Sequence, residues 1–342
     1  MQLLNTLYVT TPESYIHLDN ETLRVEVEKE TRLRVPLHHL GTVVCFGHVS
    51  VSLPLMHKLA DSGIGLVLLD AHGRFKARLE GPVSGNVLLR QAQHRLAGDP
   101  EFALNVARNC IAGKLRNCRQ VLLRGAREAK EPEDAAIISR GANDLAAALR
   151  ALPQAVDADT LRGLEGEAAR QYFSALNALI RAPARECFRM DGRSRRPPRD
   201  RINALLSFVY SLLMNDCRSA IEAAGLDPQI GFLHVVRPGR AALALDLMEE
   251  FRFFADRLVL SLINRSQIGP NDFIQREGGA VMLEGEGRKA VLVAYQERKQ
   301  ENITHPLLSE ALPFGLVPYV QARLLARMLR GDTSDYLPYL VR

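Results

Sequence analysis

Glu165, His234, Asp246 and Glu249 are the side chains best suited to chemistry, because each sits in an apolar setting. Burying a carboxylate costs several kcal/mol unless a positive charge compensates, so acids in oily segments need a partner. Asp246 and Glu249 are three residues apart and share one face of a helical pattern. Arg252 pairing with Glu249 at i+3 is one way to neutralise them. The other is a divalent cation shared with Glu165 and His234. Carboxylates with one imidazole and no thiolate favour Mg²⁺ or Mn²⁺ over structural zinc. Such a site, open to solvent, polarises a phosphoryl oxygen and readies an oxygen nucleophile. For Glu165 the competing reading is an acid in the first turn of a helix, favoured by the helix dipole. For His234 it is a hydrogen-bonded core histidine.

The elements that must position these residues are mostly helical. Leu164, Ala168, Ala169 and Phe173 fall on one stripe, with Arg162-Gly163 breaking the preceding pattern and the helix starting near Glu165-Gly166. Ala241 to Asn264 reads as one helix, apolar nearly all round and therefore buried. Asp200 to Ala224 is another apolar helix, stopped by Gly225 and Pro228, and His234 follows in an apolar turn before Pro238-Gly239. Helical periodicity also covers Val87 to Leu96, Phe102 to Ala129, Pro132 to Leu152 and Pro318 to Leu329. The tail from Asp332 looks irregular.

The first eighty residues differ. Leu23, Val25 and Val27 alternate with Arg24, Glu26 and Glu28, the period of a half-buried strand. Thr42 to Phe46 and Ile64 to Leu69 are further strands, and Ala71-His72-Gly73 turns the latter into a hairpin with Arg74 to Leu79. Val281 to Leu283, with Ala290 to Ala294 beyond Glu284-Gly285-Glu286-Gly287, reads as a second small hairpin. The expected fold is α+β. A small β-sandwich-like domain (1–82) precedes a larger, mainly α-helical domain (83–342).

Positive charge is concentrated in two places. Lys114, Arg116, Arg119, Arg124 and Arg127 lie on the long second helix, as a solvated or a phosphate-contacting face. Arg185 to Arg201 carries seven arginines around Gly192 and Pro197-Pro198, which bar a regular helix and leave a basic loop suited to phosphate oxygens. The net charge of +5 is compatible with a polyanionic partner. The five cysteines include no pair with a two-residue gap, which excludes a zinc knuckle or a thioredoxin-type motif. No apolar run is long enough to span a membrane and no signal architecture opens the chain, so a reduced, cytoplasmic protein is expected. No glycine-rich phosphate loop is present, so a nucleoside triphosphate is not implied.

Several segments together resemble one family, the CRISPR-associated adaptation integrase, or universal spacer-acquisition nuclease. They are Gly163-Leu164-Glu165-Gly166 with Ala168-Ala169-Arg170 and Tyr172-Phe173, then Arg195-Arg196-Pro197-Pro198 and Asp200. Asn203 to Phe208 with Tyr210, Gly231-Phe232-Leu233-His234, Asp246 to Arg252, Thr304-His305-Pro306 and Arg330-Gly331-Asp332 complete the set. The resemblance covers essentially the whole chain. It implies an N-terminal β-domain for dimerisation and partner contact, and a helical catalytic domain holding the metal. It implies homodimers that flank a smaller adaptation subunit and insert short DNA fragments, the protospacers, at a CRISPR repeat by 3′-hydroxyl attack. Carried over residue by residue, Glu165, His234 and Glu249 would hold Mg²⁺ or Mn²⁺, with Asp246 as a supporting acid. The family often has Asp where this chain has Glu249. Arg193, Arg195, Arg196 and Arg199, with Arg170 and Arg252, would hold the DNA backbone. The alternatives are a repair-type nuclease that hydrolyses branched or linear DNA without joining it, and a DNA-binding scaffold whose acids are only salt-bridged.

Overall fold

Alternating apolar residues shape the N-terminal region of the computed structural model, which describes residues 5–71, 73, 75–79, 81 and 86–341. Among the described residues, eight strands run as β1 (Asn5–Val9), β2 (Ser14–Asp19), β3 (Thr22–Val27), β4 (Glu30–Pro36), β5 (Leu40–Phe46), β6 (Val49–Val51), β7 (Gly65–Leu69) and β8 (Phe75–Leu79), with helix α1 (Leu53–Asp61) before β7. They form two four-stranded sheets, ordered β1-β5-β7-β8 and β4-β3-β2-β6. Both are mixed: β1, β5 and β7 are mutually parallel with β8 antiparallel, and β6 joins β2 in parallel. Leu23 and Val25 of β3, Ile16 of β2 and Val43 of β5 close on Leu55 and Leu59 of α1 as one apolar core. The hairpin expected at Ala71 to Gly73 appears as the antiparallel β7–β8 pair, although His72 and Arg74 lie outside the described residues.

The remaining helices are α2 (Val87–Ala97), α3 (Pro100–Glu128), α4 (Pro132–Ala151), α5 (Ala158–Leu176), α6 (Ala182–Arg185), α7 (Arg201–Ala223), α8 (Ala242–Glu249), α9 (Arg252–Asn264), α10 (Gly285–Gln300) and α11 (Val317–Leu329). The chain divides into two compact units: 1–84 with 292–300, and 85–291 with 301–342. In the first unit, Gln296 of α10 donates to the Thr6 carbonyl at 3.0 Å. In the second, α7 is the central helix, buried along most of its length and packed on α8, α9 and α11, while α3 packs on α4, α5, α8 and α9.

Three sequence expectations need correction. α5 begins at Ala158 rather than beside Glu165, because Asp157 caps it by accepting from the Thr160 amide at 2.7 Å. Glu165 is therefore in the helix interior, and the dipole reading does not apply to it. Gly163 and Gly166 do not stop the helix; each faces open space, and the cap with the buried stripe outweighs their low propensity. The expected helix from Ala241 to Asn264 is two helices. Phe251 donates to Met248 O and Phe254 to Phe251 O, both at i−3, so the α-helical ladder breaks directly after Glu249. The hairpin expected beyond Val281 is also absent: β10 (Val281–Leu283) pairs backwards with β9 (Phe273–Gln275), and Gly285 at φ +54° opens α10. A short pair, β11 (Asn302–Thr304) with β12 (Ala311–Pro313), completes the elements.

Candidate functional site

A glycine makes the His234 turn possible. A Cβ on Gly231 would stand 2.6 Å from Asp246 Oδ2 and 2.8 Å from the Ala242 carbonyl carbon, so only glycine lets this turn lie against the start of α8. Asp246 then binds the turn from within. Its Oδ2 accepts from the Phe232 amide at 2.6 Å and the Leu233 amide at 3.0 Å, and its Oδ1 from the His234 amide at 2.9 Å. His234 Nδ1 lies 2.7 Å from the same Oδ1. The carboxylate accepts, so the Nδ1–H of the ring is directed at Asp246 and Nε2 is left to face the site. Arg162 of α5 adds a bond to the Leu233 carbonyl at 3.3 Å.

His234 Nε2 faces Glu249, 4.0 Å from its Oε1. Glu249 ends α8 and is 3% exposed, yet it remains ionised: burial alone would raise its pKa, but Arg252 and Lys114 hold it far below the carboxylate range. Arg252 Nε and Nη2 make a bidentate pair with Glu249 at 2.8 and 2.6 Å, and its guanidinium stacks over Tyr210, 4.8 Å from the ring centroid. Lys114 of α3 reaches Glu249 Oε2 at 2.7 Å and also bonds Glu165 Oε1. Burial alone would lower the Lys114 pKa, but Glu249 and Glu165 raise it, so the ammonium stays charged. His234 and Glu165 keep 21% and 25% of their side-chain surface exposed, which leaves the site open on one side.

Three of the predicted residues thus meet at one place: Glu165, His234 and Glu249. Asp246 stands behind them, 1% exposed, as the clamp of the histidine turn. The donor chemistry, two carboxylates and an imidazole nitrogen, suits a hard divalent cation. Among the described residues, however, no three such side chains form a ready-made cage, and the Lys114 ammonium lies between the two carboxylates.

The predicted arginines separate into two sets. Arg195, Arg196 and Arg199 are exposed, and Arg195 also lines a small cavity with Lys114, Tyr172, Tyr210, Arg252 and Asp256. Arg170 is exposed and forks onto Glu167 of its own helix at 2.7 to 3.0 Å. Arg252 is buried against Glu249. Arg193 turns inward, donating to Asn203 Oδ1 at 2.6 Å and Ser207 Oγ at 3.2 Å, with burial lowering its pKa to about 10.

Lys114 is the site residue that the sequence reading assigned elsewhere, to a basic helix face. The signal was present: Cys110, Ile111, Leu115 and Cys118 place that position on the apolar stripe of α3, where an ammonium needs a buried acid.

The family profile described as CRISPR associated protein Cas1 matches residues 7–297. A CRISPR-associated endonuclease Cas1 of Moorella thermoacetica is 55% identical over 341 residues, covering 99% of both chains. A solved Cas6-RT-Cas1–Cas2 complex contains a chain that superposes with a TM-score of 0.83 at 25% identity over 98% of this chain, which spans 36% of that longer one. A casposase bound to integration product has the same fold, with a TM-score of 0.83 at 23% identity over 98% of this chain and 93% of its own. The chain belongs to the Cas1 family of CRISPR-associated endonucleases.

Proposed function

We propose that this enzyme is a divalent-metal-dependent DNA integrase and endonuclease that inserts short foreign DNA fragments into a CRISPR array. The observation that carries this reading is the meeting of Glu165, Glu249 and the Nε2 face of His234 at one half-open place in a Cas1-family chain. Those three would hold Mg²⁺ or Mn²⁺. When bound, the cation would neutralise charge on a phosphodiester and make an oxygen nucleophile available.

The protein's own groups do the remaining work. Asp246 fixes the direction of the His234 ring through Nδ1, so that Nε2 points at the site. Arg252 fixes both oxygens of Glu249. Arg195, Arg196 and Arg199 offer exposed guanidiniums for the DNA backbone, Arg195 of them beside the site, while Arg193 and Arg252 support it from inside. Aligning a 3′-hydroxyl with the phosphodiester of the repeat exchanges one ester for another, so no nucleoside triphosphate is needed. Water in the place of the hydroxyl turns the same arrangement to hydrolysis.

The protein would work in the cytoplasm as a homodimer with a smaller adaptation subunit, its N-terminal β-domain serving dimerisation and partner contact. A solved relative occurs in a complex with Cas2, which supports that partnership. The test is incubation of the protein with that subunit, 3′-hydroxyl duplex ends and a supercoiled CRISPR plasmid in Mg²⁺. Covalent joining is expected, and Glu165→Ala is expected to lower it by roughly 10²–10³-fold while DNA binding survives. Cleavage without joining would favour the repair-type nuclease, and full joining by Glu165→Ala would remove that residue from the site.

A further inference from the structure

Lys114 has no role in the reaction just outlined, yet it lies at its centre. Its ammonium bonds Glu165 of α5 and Glu249 of α8, and its side chain is 8% exposed on the apolar stripe of α3. A buried ammonium is tolerated only with close counter-charges, and two converging carboxylates repel each other without a cation between them. The lysine and the two acids therefore stabilise one another. The proposed divalent cation needs the same two carboxylates, and it would repel an ammonium placed between them.

We propose that Lys114 is the resident counter-cation of the site and that a divalent cation binds by displacing its ammonium from Glu165 and Glu249. This rests on the metal-site reading above. The ammonium has a small space beside it: Lys114 lines a cavity of about 20 Å³, mainly apolar through Leu115, Leu145 and Phe173, that also meets Tyr172, Tyr210 and Asp256. Asp256 accepts there from the Tyr210 hydroxyl at 2.6 Å and the Tyr172 hydroxyl at 2.9 Å. Arg252 stays on Glu249, so the exchange changes one cation of the site and leaves the other. Before metal arrives, the lysine keeps acids from two helices assembled; once metal is present, it competes for them and weakens the metal's affinity.

Calorimetric titration of Mn²⁺ into the full chain tests this, with wild type, Lys114→Met, Lys114→Arg and a Glu165→Gln baseline. Removing a competitor tightens binding by the strength of the competition, so Lys114→Met is expected to bind Mn²⁺ about tenfold more tightly or better. Its melting temperature without metal should fall, and Mn²⁺ should raise it further than in wild type. Lys114→Arg should stay near wild type. Equal or weaker Mn²⁺ binding by Lys114→Met overturns the displacement, while leaving the metal site standing. Mn²⁺ binding by neither wild type nor Lys114→Met above the Glu165→Gln baseline overturns the metal site itself, and the displacement with it. If Lys114→Met does not fold, acetylation of Lys114 in wild type, read by mass spectrometry, decides. Saturating Mn²⁺ is expected to increase its labelling several-fold, and unchanged labelling overturns the proposal.

Discussion

Glu249 and Glu250 are consecutive residues, both buried, and they occupy opposite electrostatic surroundings. Glu249 meets two cations, Lys114 and Arg252, and is held ionised. Among the described residues, Glu250 meets only neutral donors: the Tyr336 hydroxyl, the Tyr339 amide at 2.6 Å and Gln321 Nε2 at 3.0 Å. Burial pushes its pKa up to about 7, against the lowering effect of those three hydrogen bonds. The same helix, α3, serves both sides. Lys114 faces Glu249, and one turn on, Asn117 donates to the Glu250 carbonyl at 2.9 Å and to the Tyr339 carbonyl at 2.8 Å. One side of the α8 end is thus built around charge and faces a half-open site. The other is built around neutral hydrogen bonds and fastens the C-terminal tail. A carboxylate's role here is set by its neighbours rather than by its place in the sequence.

Truncation should separate the two sides most sharply. Glu249→Leu leaves Lys114 and Arg252 buried without their shared counter-charge and is expected to destabilise the fold by about 3–5 kcal/mol in urea denaturation. Glu250→Gln should cost far less near pH 5, because the amide reproduces the protonated acid. Its oxygen accepts from Tyr339 and Gln321, and its NH₂ faces the Tyr336 oxygen. Similar losses for the two variants would mean that the cations around Glu249 are not buried as described.

The pH dependence sharpens the same contrast. The Glu250 pKa rises on folding from 4.5 to about 7, so between these values the folded state binds more protons than the unfolded one. Stability from this group therefore falls as pH rises through that window, and the full penalty is present above it. Glu249 has the opposite sign: its folded pKa is depressed, so its contribution is present above the unfolded value and lost as pH falls. For Glu250 the shift corresponds to roughly 3 kcal/mol. Glu250→Gln is thus expected to gain that much on wild type between about pH 5 and about pH 8, measured by denaturant unfolding. Asp256, whose pKa burial raises to about 6 despite bonds from Tyr210 and Tyr172, keeps a residual slope of the same sign in both proteins. A Glu250→Gln difference that does not change with pH would show that Glu250 is ionised throughout.

How much of this was legible beforehand depends on the range of the interaction. The alternation of Leu23 and Val25 announced β3, and the apolar stripe of Leu164, Ala168 and Phe173 announced α5, because both are local patterns. The start of α5 was misplaced because the glycines at 163 and 166 were weighed more heavily than the Asp157 cap. The end of α8 was hidden because Glu249-Glu250-Phe251 carries no glycine or proline. The Arg252 partner of Glu249 was legible from the i+3 spacing, but the bonds from Lys114 to Glu165 and Glu249 span 51 and 135 residues, and no periodicity encodes those. The tail shows this most plainly. Tyr336 and Tyr339 read as irregular sequence, yet they are 1% and 3% exposed and hold Glu250.

Asp246 tests whether buried carboxylate chemistry extends to positioning. It accepts three amides and the His234 ring, so Asp246→Asn keeps the shape while placing an NH₂ against those donors. Loss of such an orienting partner lowers metal affinity or activity about 10–100-fold. Joining should fall by that factor, with DNA binding unchanged. Wild-type joining would show that the histidine turn holds its direction without Asp246.

The smallest effects belong to the arginines, and there the inside–outside contrast recurs. Arg195 and Arg196 are exposed, whereas Arg193 is hydrogen-bonded to Asn203 and Ser207 beneath them. A guanidinium on a phosphate releases counterions, so losing one such contact lowers the slope of log K against log salt by about 0.9 and weakens binding evenly across sequences. Arg195→Ala and Arg196→Ala are each expected to show that decrement in fluorescence-anisotropy titrations, with folding stability unchanged. Arg193→Ala should do the reverse: the fold loses the bonds at Asn203 and Ser207, about 1–3 kcal/mol, and the salt slope stays where it was. If Arg193→Ala instead lowers the slope and leaves stability alone, its side chain reaches DNA, and adjacency in the basic loop outweighs the burial that separates these residues.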